Sequence, residues 1–224
     1  MSTFQRARSE EQREIRRQAI LDTAAAMLDE MSVSAVSLNE LSRRVGLAKS
    51  NVLRYFESRE AVLLELLDQR WKQWTDELPA LLADGVDAGA PVAERGEQFA
   101  AAVTASLAER RMLCDLLSAQ AGVLEHNVSP EVAACYKRAA IANVVAFAAL
   151  AAIHLPELGG RAHQLAASVI MAAGAVWTHA RPSEAMLAAY AADPGLAALR
   201  MDFAPALREL LATLTAGTLA RTRP

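Results

Sequence analysis

The chain has 224 residues, enough to bury a core and to join a small domain to a larger one. Hydrophobic residues make up 53%, charged residues 22% and aromatics 5%, so the apolar content comes largely from the helix formers Ala and Leu, and an all-α protein is expected. A net charge of -3 gives by itself no sign of a nucleic-acid partner, yet residues 1–56 hold nine Lys/Arg against seven Asp/Glu while the remainder holds 14 against 19.

The N-terminal residues are charged where an export signal needs an apolar stretch, so a cytoplasmic protein is expected. Ser9-Glu10-Glu11-Gln12 has the form of a capping box and predicts the start of a first helix, whose apolar face is Ile20, Ala24, Met27 and Leu28. Ser37-Leu38-Asn39-Glu40 is a second capping box. It opens a short helix with Leu38, Leu41 and Val45 facing inward, ended by Gly46, the residue best suited to positive φ. After the turn Gly46-Leu47-Ala48, a third short helix is predicted over Lys49 to Phe56, with Val52 and either Tyr55 or Phe56 facing inward. Ser58 caps a long fourth helix, in which Leu63, Leu67, Arg70, Trp71, Trp74 and Leu78 follow steps of three and four until Pro79 interrupts.

Ala83 to Pro91 reads as a loop, followed by helices near 92–109, 111–124, 130–155, 160–180, 184–192 and 204–220. Pro91, Pro130 and Pro205 suit first turns; Pro156, Pro182 and Pro194 suit breaks. Cys114 and Cys135 form no CxxC pair, so neither a zinc cluster nor a disulfide framework is signalled and reduced, buried thiols are expected. The apolar run Ala139 to Leu155 is mostly Ala and contains Asn143 and His154. It falls short of about 20 strongly apolar residues, which favours a buried helix over a membrane span.

Two short helices around a glycine turn, Ser37–Val45 and Lys49–Phe56, form a helix-turn-helix pattern with the second helix as the reader of DNA. Leu38, Leu41 and Val45 would brace Val52 and Phe56, leaving Lys49, Ser50, Asn51 and Arg54 to enter a major groove about 12 Å wide. Many such hairpins are purely structural, so this pattern alone leaves both readings open.

From Ile20 to Leu63 the chain resembles the DNA-binding domain of the tetracycline-repressor (TetR) family. The matching residues are Ile20-Leu21, Ala24, Ser37, Leu41, Val45-Gly46-Leu47, Lys49, Val52, Tyr55-Phe56 and Ser58-Arg59-Glu60-Ala61. Ser32, Ser42, Ala48 and Leu53 depart from the family pattern, Leu53 replacing a frequent Tyr that touches the DNA backbone, for which Arg54 would substitute a cation. The resemblance implies that Asn39, Lys49, Ser50 and Asn51 approach base edges while Ser37, Tyr55 and Arg59 meet phosphates. Arg6, Arg8, Arg13 and Arg16 would add grip from an N-terminal arm, or simply form a solvated helix end.

The resemblance further implies a helix-turn-helix domain over 1–60 and a larger helical effector-binding and dimerisation domain over 61–224. Trp71, Trp74, Phe99, Met112, Cys114, Phe147, Met171 and Trp177 are suited to line an apolar pocket, and Asn143, His154 and His179 to orient a ligand; each also suits ordinary packing. The expected partners are a near-palindromic operator DNA, a small hydrophobic or amphipathic effector and a second copy of the chain. Two stripes were candidates for the homodimer: Phe203, Leu207, Leu210, Leu211 and Leu214, and Ala166, Ala167, Ile170, Ala173, Gly174 and Trp177. No nucleophile elbow, phosphate loop or metal-ligand spacing is present in the sequence, so no enzyme activity, metal or cofactor is expected. The expected function is a transcriptional regulator acting as a repressor that an effector releases from its operator; the alternative is a helical adaptor that binds protein and not DNA.

Overall fold

The computed structural model describes residues 3–221 and, among them, only helices and their connections. In chain order these are α1 (Thr3–Glu30), α2 (Leu38–Val45), α3 (Lys49–Val52), α4 (Arg59–Gly85), α5 (Val92–Ala108), α6 (Arg111–Ala119), α7 (Pro130–His154), α8 (Ala162–His179), α9 (Glu184–Ala192), α10 (Pro194–Ala197) and α11 (Phe203–Ala220). The all-α expectation holds. Two compact units form, one from residues 1–69 with 119–137 and the other from 70–118 with 138–224. The linear division at residue 60 therefore differs from the packing: α4 contributes residues up to Gln69 to the first unit, and a second stretch of chain joins it from beyond α6.

In the first unit, Ile20, Leu21, Ala24, Met27 and Leu28 of α1 meet Leu41, Val52, Phe56 and the start of α4 in a closed core. Ser37 caps α2 by accepting from the Glu40 backbone N–H at 3.2 Å, and Ser58 caps α4 by accepting from that of Ala61 at 3.1 Å. Gly46 ends α2 with φ 70°, and Leu47 N–H donates to the Ser42 carbonyl, closing the turn as expected. Phe56, not Tyr55, takes the inward position; Tyr55 is half-buried.

Arg17 fastens this unit. Its guanidinium pairs with Glu65 of α4, Nε donating to Oε1 at 2.9 Å, and donates from Nη1 to the Tyr55 carbonyl at 3.2 Å. The same group lies over the Phe56 ring, 4.4 Å from its centroid. One side chain thus joins α1, the segment after α3 and α4. A second stretch of chain closes on the start of α4: Ser129 N–H donates to Glu57 Oε1 at 2.5 Å, and Asn127 Nδ2 to Glu60 Oε1 at 3.5 Å.

In the second unit the core is aromatic at its centre. Trp74 donates from Nε1 to Ser106 Oγ at 3.0 Å and lies 5.0 Å from the Phe147 ring, which in turn stacks 6.2 Å from Phe99. α11 packs on α5 and α8. Gly174 of α8 sits so near α6 that an added Cβ would stand 3.1 Å from the Leu117 carbonyl oxygen, a contact tight enough that the α6 backbone would have to give by a few tenths of an ångström.

Several sequence expectations are corrected. α1 begins at Thr3, which places the Ser9 box inside the helix, because the Arg, Gln and Glu around it are themselves good helix formers. The Arg6 and Arg8 side chains lie outside the described residues. Pro79 does not end α4, which continues to Gly85; Leu78 and Leu82 on either side are fully buried, and their burial offsets a proline cost of about 3 kcal/mol. The helix expected over 111–124 widens after Ala119 into a single π turn at Gln120–Leu124. α7 was expected to be buried, but Ile141, Val145 and Ile153 form an exposed stripe, and only 28% of its most apolar window is buried. By length and composition α7 could cross a membrane; Phe147, Ala148 and Ala151 instead place one face of it in the second unit's core. Met171 is 68% exposed and lines no interior cavity. In the two stripes offered for the dimer, Leu207, Leu211, Ala166, Ala173 and Gly174 are buried within their own chain while Leu210 is 37% exposed, so one side of the α11 stripe serves its own core. Cys135 is exposed, whereas Cys114 is buried as expected.

Replacing Arg17 by Met should remove the ion pair, the carbonyl contact and the ring contact together. A loss of about 1–2 kcal/mol is expected, discounted for partial exposure, and thermal unfolding checks it as a midpoint lowered by several degrees. An unchanged midpoint would show that α1 and α4 are held by apolar packing alone. The thiols give a second check. Burial, with Asp115 beside it, pushes the Cys114 thiol up to about 12, while Cys135 is open to solvent. A thiol reagent should label one cysteine quickly in the native protein and two after denaturation, and Cys135→Ser should abolish the fast reaction.

Candidate nucleic-acid interface

α2 and α3 carry the residues expected to read DNA. Lys49, Ser50 and Asn51 of α3 and Asn39 of α2 are exposed, and among the described residues their side chains are engaged by no other group. Ala48 occupies the N-cap of α3 and supplies no side-chain hydrogen bond, which leaves that end of the helix open to an acceptor from outside. α3 proper is a single turn, and the expected extension to Phe56 is a series of tight turns instead. Val52, fully buried, fixes the rotation of the turn and so decides that Lys49, Ser50 and Asn51 face outward.

The surrounding cations divide into those already engaged and those that no acidic group engages among the described residues. Glu40 binds Arg43 through Oε1 at 2.6 Å and Arg44 at 2.8 Å, and Arg44 also reaches Glu30 at 2.8 Å. The hydrogen bonds from these two guanidinium groups hold the Glu40 carboxyl down at about 2. Arg59 was expected to meet phosphate. Its guanidinium donates to the Val36 carbonyl at 2.6 Å, the Ser34 carbonyl at 3.2 Å and Glu60 at 2.7 Å, latching the segment before α2 to the start of α4.

Cations without an acidic partner among the described residues gather nearby. Arg13 and Arg16, three residues apart on α1, share an open polar cleft of about 410 Å³ with Gln12, Arg54 and Tyr55. Three guanidinium groups around one cleft, with a phenol and an amide, form a set of donors with no acidic residue among its lining. The N-terminal arginines were legible as a charged helix end; their convergence on Arg54 across the fold was not. Gln12 was read only as part of a capping box. Ser37 keeps its hydroxyl on α2 as a cap, and Leu53, where the family often has Tyr, is exposed beside Arg54.

Of the candidate effector residues, Trp74, Phe99 and Phe147 cluster in the core of the second unit. Trp71, Trp74, Phe99 and Phe147 are all buried in the second unit, Met112 is half-buried, and Trp177 donates from Nε1 to Asp115 Oδ1 at 2.8 Å while meeting Phe203 edge-on at 4.7 Å. The Trp71 Nε1 and Thr104 Oγ1 atoms are buried without a hydrogen-bond partner. Asn143 is buried, His179 is exposed, and burial depresses the His154 imidazole below its ordinary value. A separate groove of about 490 Å³ lies between α5 and α11, lined by Val92, Ala93, Gly96, Ala212, Ala216, Leu219 and Ala220 with Glu94 and Glu97; none of the expected lining residues reaches it.

Comparison with known proteins accords with this architecture. The family model described as bacterial regulatory proteins, tetR family, matches residues 20–66, and that described as tetracyclin repressor-like, C-terminal domain, matches residues 68–222. Among solved structures, a putative TetR-family transcriptional regulator from Mesorhizobium loti is 16% identical, with 93% of this chain and 97% of that chain covered at a TM-score of 0.53. The fatty acid degradation regulator FadR from Bacillus halodurans is 14% identical, with 87% and 97% covered at a TM-score of 0.50. The search of curated proteins returned no match. With its reader and its C-terminal body each matched by a family model, the chain belongs to the tetracycline-repressor family and is a DNA-binding transcriptional regulator.

Proposed function

We propose that the protein is a cytoplasmic, homodimeric repressor, not an enzyme, that holds a near-palindromic operator and leaves it when a small hydrophobic or amphipathic effector binds the second unit. The observation that carries this reading is the pairing of an unengaged reader turn, Lys49, Ser50 and Asn51, with the flanking cleft of Arg13, Arg16 and Arg54. The first set has the lengths and donor patterns that read base edges, Asn toward adenine and Lys toward guanine; the second has the forked cations that clamp phosphate without reading sequence. Tyr55 would add its phenol to the clamp, and Ser37 the capped end of α2, whereas Arg59 acts through the backbone it latches. One reader covers a half-site, so two related by a dyad and about 34–36 Å apart explain a palindrome.

The effector reading rests on the second unit's aromatic centre. Trp71 and Thr104 each keep a buried donor unsatisfied, so a ligand with an acceptor atom on an apolar body recovers hydrogen-bond energy there. The signal would pass along α4, whose residues belong to both units.

Lys49→Ala and Asn51→Ala should each weaken operator binding by about 1–3 kcal/mol and leave non-specific binding nearly unchanged. Arg13→Ala, Arg16→Ala and Arg54→Ala should weaken all sequences alike and each lower the salt slope of binding by about one. Titrations of operator and unrelated DNA at several salt concentrations separate the two classes, and equal losses on both DNAs for Lys49→Ala and Asn51→Ala would overturn the division. Effector and operator should also weaken one another by the same factor, equivalent to about 1–3 kcal/mol. An effector that binds tightly and leaves operator affinity untouched would overturn release as the mechanism.

A further inference from the structure

Among the described residues of the first unit, two large apolar side chains are exposed, Ile15 on α1 and Leu53 at the end of α3. Leu53 is 42% exposed. A single exposed leucine is ordinary on a protein surface, and what sets this one apart is its place on the reader. Its backbone is helical, with φ -63° and ψ -11°, and its N–H donates to the Lys49 carbonyl at 3.0 Å. That bond closes one turn, so Leu53 stands over Lys49 and three positions on from Ser50, on the face those two residues share. Val52 beside it is fully buried, which fixes the rotation of the turn and keeps Leu53 outward.

The exposed surface of the turn thus carries Lys49, Ser50 and Asn51, all polar, and one branched hydrocarbon. Leucine has no side-chain donor and no acceptor. It can neither join the phosphate clamp of Arg13, Arg16 and Arg54 nor make the hydrogen bonds by which Lys49 and Asn51 tell one base from another. One base edge in the major groove offers it a partner, the C5 methyl group of thymine, which cytosine lacks. Contact there removes apolar surface of both groups from water. Contact with a polar base edge desolvates a donor or acceptor and returns no hydrogen bond.

We infer that Leu53 is a specificity residue of the operator contact, packing on the methyl group of a thymine in each half-site. This rests on the reader reading above and adds a base that no hydrogen bond of the turn selects. One turn of helix rises about 5.4 Å and successive bases are about 3.4 Å apart, so the thymine lies within about two base pairs of the base that Lys49 reads. Burial of one methyl group is worth about fourfold in affinity, which sets the size of the preference for each half-site.

The test starts from operator duplexes that the full chain selects out of a random pool. Each thymine of the selected duplex is replaced in turn by uracil, which removes the methyl group and keeps the hydrogen-bonding edge. Binding is titrated with the wild type and with Leu53→Ala, and an unrelated duplex serves as control. At one thymine per half-site the wild type should lose about fourfold. Leu53→Ala should lose about as much on the unmodified operator and nothing further on that uracil duplex. Leu53 is exposed, so the variant is expected to keep its fold, which helix content and thermal unfolding verify, and the uracil series on the wild type needs no variant. A wild type indifferent to every uracil, uracil and alanine losses that multiply, or a Leu53→Ala loss equally large on the unrelated duplex overturns the thymine contact. The reader itself then stands if Lys49→Ala and Asn51→Ala still lose operator binding selectively. A pool that yields no preferred sequence overturns the reader and the thymine contact together.

Discussion

The geometry of the reader depends on Arg17. α3 is one turn long and cannot set its own orientation, since a single turn fixes several dihedrals for one hydrogen bond. What orients it is the chain on either side: Gly46 before it, and Tyr55 and Phe56 after it. Arg17 grips the latter pair, through a carbonyl and an aromatic face, while its other edge is held by Glu65. Glu65 and Arg17 are each about one-third exposed, so the ion pair alone contributes little; its weight lies in joining three segments through one planar group. Lysine has neither the fork nor the flat face to do this.

The same economy governs the other cations of the first unit. Arg43, Arg44 and Arg59 are engaged by Glu40, Glu30, Glu60 and backbone carbonyls, and they shape the scaffold. Among the described residues, Arg13, Arg16, Arg54 and Lys49 are held by no carboxylate, which suits the proposed contact with a polyanion. A slight excess of basic residues in the first 56 positions understates this division, because Glu30 and Glu40 are paired with Arg43 and Arg44 and no acidic residue lines the cleft. The field a DNA backbone meets is set by which cations are left unneutralised, not by net charge.

Local signals were legible in the sequence wherever the physics is local. Ser37, Gly46 and Ser58 carry their cap and turn conformations in their own side chains or in the lack of one, and the structure places all three as read. The starts of α5 and α7 likewise follow Pro91 and Pro130 closely. Signals that depend on the rest of the fold were not legible. Pro79 looks like a stop until Leu78 and Leu82 are seen buried on both sides of it. The grip of Arg17 spans 48 residues to Glu65, and no spacing rule reaches that far. Gly174 and Leu211 lie on apolar stripes whose period says helix and one buried face, yet is silent on whether that face meets its own chain or another; here both turn inward.

That ambiguity has a physical resolution in where small residues fall. Close approach within the chain is already spent at Gly174, where the Leu117 backbone fills the place of a side chain, and at Gly96, where an added Cβ would stand 3.3 Å from Thr215 Cγ2. Asp115 ties the end of α8 further by accepting from Trp177 and from Arg181 at 2.9 Å, with Arg181 lying 5.1 Å over the Trp177 ring. The second unit therefore holds α6, α8 and the start of α11 tightly and releases everything between Arg181 and Asp202 to the surface. Trp177 and Phe203 meet edge-on at 4.7 Å and so hold the end of α8 against the start of α11, while α9 and α10 between them bury no side chain.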